Sequence, residues 1–567
     1  MDLKIGVEEG NGMKKVLVFS VIVLLLLGIS VFGENIKYGG TLRVVNAIGG
    51  NLVPNFNPFS PSAVSILPVI YETLFSVNIL NGDIVPILGT SYKWEDSDLK
   101  LIITTRNGVK WSDGTPFTAK DVAFTFNYLK ENPALDQSGI WSPLSSLQSV
   151  EASGDNRVVF TFLKQNTPVF FYIVEQSIIP AHIWSDVEDP STWTNPNPVG
   201  TGPFEIESIN VPNNTLTLTK NPNYWMKDKP YIDKISYTAV LSNTTAFEML
   251  LSDKADMVGA FLPNIQKAWA DKNPSLNKYW WPVYDTNVLL FNTLKYPFDN
   301  PTFRKAIALS IDKNSLEEKA YYNVGDVANQ LGIVPTQLDE WLDPTLKDLL
   351  NSFTYDPATA QKLLESAGFK KNTQGQLCDL SGKPFPTFKI LVPAGATDFI
   401  TMAQIISENL KAIGLSTVID QEAGNTYMSS IMSGTYEMAV CWGTGFGPTP
   451  YYFYYGEFNP FFSAPIGQMA ISDYGRYTNP LITSALDVYS QTSDINLQKQ
   501  SIYTIERIFL MDTPFVPLTN RTMFGEWSES RFTGWPSDSN PYCGYSEFGY
   551  AGGLSAGELI ALNVHLK

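Results

Sequence analysis

Residues 107–126 read NGVKWSDGTPFTAKDVAFTF, from Asn107 to Phe126. Asp113-Gly114 carries turn chemistry, and Pro116 fixes the direction in which the chain leaves that turn. Thr118, with Asp121 three residues on, forms a capping box. Val122, Phe126 and Leu129 follow at helical spacing, so a helix is predicted from about residue 119, with Trp111 packed beneath it. The polar residues of this run are read as scaffold rather than as ligand contacts.

Outward from this helix the pattern changes to period two. Thr41-Leu42-Arg43-Val44, Arg157 to Lys164 and Asn214 to Lys220 alternate as half-buried strands. The second half alternates helices with short apolar strands. Asn300-Pro301 caps a helix with Phe303, Ile307 and Ile311 inside, and Arg304 on it is expected to pair with a nearby carboxylate. Asp356-Pro357 caps a second, with Ala360, Leu363, Leu364 and Ala367 inside and Gly368 at its end. A third carries Ile405, Ile406, Leu410 and Ile413 and runs past Gly414 into an apolar strand. A fourth, near Tyr427 to Met432, leads into Met438-Ala439-Val440-Cys441-Trp442. A strand-rich first half and an α/β second half argue for more than one domain.

Composition narrows the function. The 567 residues carry a net charge of −17, which argues against nucleic acid as a partner. Two histidines leave almost no material for a His-based metal site or a Ser-His-Asp triad, so neither a cofactor nor a metal is expected. Cys378, Cys441 and Cys543 allow one bridge at most. The excess is aromatic: 27 Tyr, 33 Phe and 13 Trp point to binding rather than to chemistry.

Met13-Lys14-Lys15 precedes an apolar run from Val16 to Phe32, the pattern of a secretory signal with cleavage expected after Gly33. Asp2, Glu8 and Glu9 are wrong for the start of a signal, so Met13 is the expected first residue. No Cys follows the run, so a periplasmic or extracellular protein without a lipid anchor is expected.

Three stretches carry a family resemblance: Asn107 to Phe126; Pro198 to Phe204 (PVGTGPF) with Asn221 to Trp225 (NPNYW); and Leu290 to Lys313 (LFNTLKYPFDNPTFRKAIALSIDK). Together they resemble the extracellular solute-binding proteins of family 5, the peptide/nickel-type receptors of ABC importers. The resemblance implies a periplasmic-binding-protein-like α/β fold of three discontinuous domains, two lobes joined by a hinge plus an extra domain. It puts residues 34–78, 198–285 and 516–567 in one lobe, 79–197 in the extra domain and 286–515 in the other lobe. It also implies a monomeric receptor without a catalytic group, which hands its ligand to membrane permease subunits.

The ligand is read at the end of the strand closing on Trp442, since ligands gather outside the carboxyl ends of strands in α/β lobes. The resemblance implies that peptide-binding members carry an aspartate just beyond this strand, paired with the peptide ammonium. Here no acid follows until Glu457. Rings and glycines stand there instead: Trp442, Gly443, Gly445, Phe446, Gly447 and Tyr451. Flat rings with one polar handle suit the C–H face of a pyranose. Short neutral oligosaccharides, such as cello- or manno-oligosaccharides, are therefore the expected ligands. Trp442, Gly443, Phe446 and Tyr451 are the candidate contacts, with Trp280, Trp281 and Trp535 as further platforms and Asn57 from the first lobe. The alternative is an oligopeptide receptor in which Glu457 or Asp420 takes the ammonium. A third reading, a secreted glycoside hydrolase, needs two carboxylates across the sugar, roughly 5–9.5 Å apart.

Overall fold

Alternation at the N-terminal strand works as the period-two pattern requires: Thr41–Ala47 buries Leu42 and Val44 completely and lies in the middle of a seven-stranded sheet. The structure, a computed structural model, describes residues 36–47, 51–351, 354–445, 447–545 and 555–567. The expected signal segment, residues 1–33, and Phe446 lie outside the described residues.

The first sheet runs in the order Asn277–Tyr279, Glu526–Ser528, Met257–Gly259, Thr41–Ala47, Lys234–Val240, Thr215–Lys220, Phe204–Asn210. Its strands come from widely separated segments, and Thr41–Ala47 is parallel to both of its neighbours. The second sheet has the order Thr417–Glu422, Phe388–Pro393, Met438–Trp442, Val283–Phe291, Phe515–Thr522. A third, antiparallel sheet of four strands is built from Gly89–Glu95, Lys100–Thr105, Leu147–Ala152 and Arg157–Phe162. Phe515–Thr522 pairs with Val283–Phe291, so the chain rejoins the first sheet only at Glu526, later than the expected 515/516 boundary. Val283–Phe291 likewise enters the second sheet a few residues before 286.

The sequence signals for local structure hold. Helix Ala119–Glu131 has both halves of the Thr118/Asp121 capping box, and Trp111 is fully buried in an edge contact with Phe117. Asp113 accepts from the Thr115 backbone N–H at 2.9 Å and Asp121 from that of Thr118 at 2.9 Å, and the same two acids hold His182 (2.7 Å) and the Ala181 N–H (3.2 Å), so they serve the scaffold. Helix Pro301–Leu309 is capped by Asn300, and Pro357–Ser366 by Asp356. Thr397–Lys411 precedes strand Thr417–Glu422, and Gly424–Ser433 precedes Met438–Trp442.

Two expectations are corrected. Among the described residues Arg304 pairs with no carboxylate: its guanidinium donates to the carbonyls of Thr513 (2.8 Å), Phe298 (2.7 Å) and Asp512 (2.6 Å), because a turn of backbone faces it. The three cysteines are all buried and free, so the possible bridge does not form.

Candidate ligand-binding site

The site is built on the second sheet. Trp442 ends its strand opposite Asn287, and on the other side of the same central strand Asp285 stands opposite Arg521. This register gathers Trp442, Tyr284 and Arg521 from three strands at one end of the sheet. The Arg521 guanidinium carbon lies 5.2 Å from the Trp442 ring centroid and 5.3 Å from that of Tyr284.

These residues form one wall of a cavity of about 690 Å³. That is within the range of about 300–1,000 Å³ found for pockets that enclose small ligands. Val64, Ser65 and Tyr237 line it from the first sheet's side, with Ser65 Oγ 2.6 Å from the Tyr237 hydroxyl. Phe171, Tyr172 and Glu175 line it from the segment that includes the third sheet. Amides and hydroxyls supply the remaining polarity, among them Asn46, Asn51, Gln137 and Asn425. Among the described lining residues the charged groups are Glu175 and Arg521.

Electrostatics near Trp442 are set by burial. Asp285 is nearly inaccessible, which lifts its pKa to about 6 although the neighbouring Arg521 cation pulls it down. Burial works against the Arg521 cation, yet Tyr284 and Asp285 more than offset it and its pKa rises. Glu175 accepts from the Val77 backbone N–H at 2.7 Å. Glu457 sits behind the loop, accepts from the Thr444 N–H at 2.6 Å, and is pushed by burial up to about 8.

The structure brings two of the expected contacts to the cavity, Trp442 and Gly443. Phe446 lies outside the described residues, and the remaining expected contacts are elsewhere. Trp281 is buried among Phe261, Tyr279 and Phe524, and its indole N–H donates to Glu526. Trp280 is partly buried against the core, outside the cavity lining. Trp535 stacks on Trp527 and donates to the Phe532 carbonyl at 3.2 Å. Tyr451 is stacked between Tyr455 and Tyr489, ring centroids 5.4 and 4.5 Å away. Asn57 is fully buried and donates to the carbonyls of Pro190 (2.8 Å) and Trp193 (3.0 Å), pinning a loop instead of reaching ligand. The expected acids also stand back from the cavity: Asp420 pairs with Lys389 at 2.8 Å, and Glu457 is behind Thr444.

The glycines serve the chain's own packing. A side chain at Gly443 would meet Asp285 Oδ1 at 2.5 Å, and one at Gly445 would overlap the Tyr452 carbonyl. Helix Pro450–Phe458 can therefore press against the loop and is buried at every residue. Arg521, Tyr284, Tyr237 and Glu175 were not singled out from the sequence. Arg521 is the penultimate residue of strand Phe515–Thr522, in the run Leu518-Thr519-Asn520-Arg521, and only the register with Asp285 gives it meaning.

A cavity enclosed between separate α/β sheets, with rings and neutral polar groups on its walls, defines a binding protein of the periplasmic type. The chain belongs to the bacterial extracellular solute-binding proteins, family 5, whose middle-region model matches residues 83–462. The glutathione-binding protein of Escherichia coli O1:K1 is 26% identical over 333 residues, 58% of this chain and 62% of that protein, so this match spans less than two thirds of the relative. The corresponding protein of Shigella dysenteriae aligns over 488 residues at 23% identity, covering 84% and 88%. Among solved structures, a mannohexaose-bound periplasmic oligopeptide-binding protein of an oligopeptide ABC transporter from Thermotoga maritima has a TM-score of 0.84 and 28% identity, covering 94% of this chain and 99% of that one. The oligopeptide-binding protein AppA of Bacillus subtilis, bound to a nonapeptide, shares the fold at a TM-score of 0.77 and 19% identity, covering 94% and 100%.

Proposed function

We propose that the protein is an extracytoplasmic receptor of an ABC importer that captures short neutral oligosaccharides by lobe closure and delivers them to membrane permease subunits. The observation that carries this reading is the cavity wall. Trp442 and Tyr284 present ring area, amides and hydroxyls surround them, and the Arg521 cation already has Asp285 beside it at 3.5 Å. A pyranose needs apolar area for its C–H face and neutral donors and acceptors for its rim. The likeness to the mannohexaose-bound Thermotoga protein supports it. The membership of the three sheets supports a first lobe assembled from separate segments, with an extra domain over about residues 79–197. Among the described residues no helix is long and apolar enough to cross a membrane.

Glu175 favours a second reading, an oligopeptide receptor, because it sets a carboxylate on the cavity wall. Calorimetric titration with manno- and cello-oligosaccharides against di- to pentapeptides separates the two. Saccharide binding with no peptide binding is expected; the reverse overturns the saccharide reading. Mass spectrometry of whatever co-purifies gives an independent answer.

A further inference from the structure

Arg521 is placed for more than bulk. It lines the cavity with about a quarter of its side chain exposed, and rings of Trp442 and Tyr284 flank its guanidinium. Among the described residues its polar side-chain contact is Asp285, whose Oδ2 lies 3.5 Å from Nη1. A guanidinium has five N–H donors in a planar fork, so one long contact leaves most of that fork to the cavity. Asp285 cannot turn toward the ligand. It is buried beneath Gly443, close enough that any side chain at 443 would strike its Oδ1.

We infer that Arg521 is a specificity-determining ligand-binding residue. Its N–H fork holds adjacent hydroxyls of a neutral pyranose stacked near Trp442, and the Asp285 carboxylate behind it turns away saccharides that carry carboxylates. This rests on the saccharide reading above and goes beyond it by assigning the charge class of the sugar. The physical reason is a charge sum. A uronate against Arg521 meets a cation whose charge Asp285 already balances. Like-charge juxtaposition at a binding surface opposes association and is a means of rejecting wrong ligands. A neutral diol accepts the same N–H groups with no such opposition.

The test is titration of the full-length protein with mannotetraose, cellotetraose and tetragalacturonate. Wild type should bind at least one neutral tetraose and bind the uronate at least a hundredfold more weakly. Arg521→Lys, which keeps the charge but loses the planar fork, should weaken neutral binding at least tenfold while the ligand-free melting temperature stays within a few degrees. Asp285→Asn and Asp285→Thr should shift the ratio of uronate to neutral affinity at least tenfold toward the uronate; two variants guard against one failing to fold. Unchanged neutral affinity in Arg521→Lys, or an unchanged ratio in folded Asp285 variants, overturns the inference. Wild type preferring the uronate overturns it but leaves the saccharide reading standing, whereas peptide binding with no saccharide binding overturns both.

Discussion

Asn243 reaches from the end of the first sheet to the second: its side-chain amide donates to Asp398 Oδ1 at 3.3 Å, and its backbone N–H donates to the Gly395 carbonyl at 3.3 Å. Asn243 opens the helix after strand Lys234–Val240, and Asp398 lies in the first turn of the helix after Phe388–Pro393. Both are buried, so the contact ties the helix that follows the first sheet's strand to the helix that follows the second sheet's.

Gly395 is the tight point of that contact. Its φ is +87°, and a Cβ there would overlap the Leu241 carbonyl. Gly395→Ala should hold the two helices apart and lower ligand affinity by about tenfold or more, corresponding to about 1.4 kcal/mol. Asn243→Ala, which keeps the backbone bond, should cost only ~0.5–1.5 kcal/mol. Titration with small-angle scattering checks both; full ligand-induced compaction in Gly395→Ala would remove this contact from the closing motion.

Trp442 is half-buried at the cavity, with one side toward Phe399 and Tyr427 and Arg521 near its ring. Trp442→Ala should cost roughly 2–4 kcal/mol of binding, on the order of 30–1,000-fold in affinity. Trp442→Phe should lose much less. The ligand-free melting temperature separates this from a packing role: a large drop in melting with intact affinity in the folded fraction would make Trp442 a core residue.

A neutral ligand implies salt-independent affinity. From about 50 to about 500 mM salt, screening shortens from a Debye length of roughly 14 Å to roughly 4 Å, and saccharide affinity should change less than twofold. A steep decline, joined by loss of binding in Glu175→Gln, would favour a peptide ammonium.

Buried acids set the pH dependence of stability. Burial lifts Glu457 to about 8, Asp473 to about 7, and Asp285 and Asp398 to about 6. Unfolded carboxyls titrate near ~4, so between these values the folded chain holds protons that the unfolded chain has released. Stability is therefore greatest toward the acid end of this window and declines as pH rises through it. The melting temperature should be several degrees higher at pH 5.5 than at pH 8.5. Glu457→Gln, which can still accept from Thr444, should flatten that slope. A melting temperature that rises steadily with pH over the window would show that these acids are ionised at little cost.

Local physics was fully legible in the sequence. The capping box at Thr118 and Asp121, the Asn-Pro and Asp-Pro helix starts and the alternation around Leu42 and Val44 each depend on neighbours within a few residues. So did Trp442 as the last residue of an apolar strand. What the sequence could not distinguish was one tryptophan from another. Trp281 is a core residue because Glu526, 245 positions away, takes its indole N–H, and Trp535 because Trp527 covers its face. The run after Trp442 is divided: Gly443 lines the cavity, whereas Tyr451 is packing within helix Pro450–Phe458, with Tyr489 stacked on its ring. Arg521 had no local signal, because its place beside Trp442 follows from strand register across residues far apart in the chain. Secondary structure is decided by short-range sterics and hydrogen bonds, whereas the identity of a cavity wall is decided by which distant strands pair, and in which register.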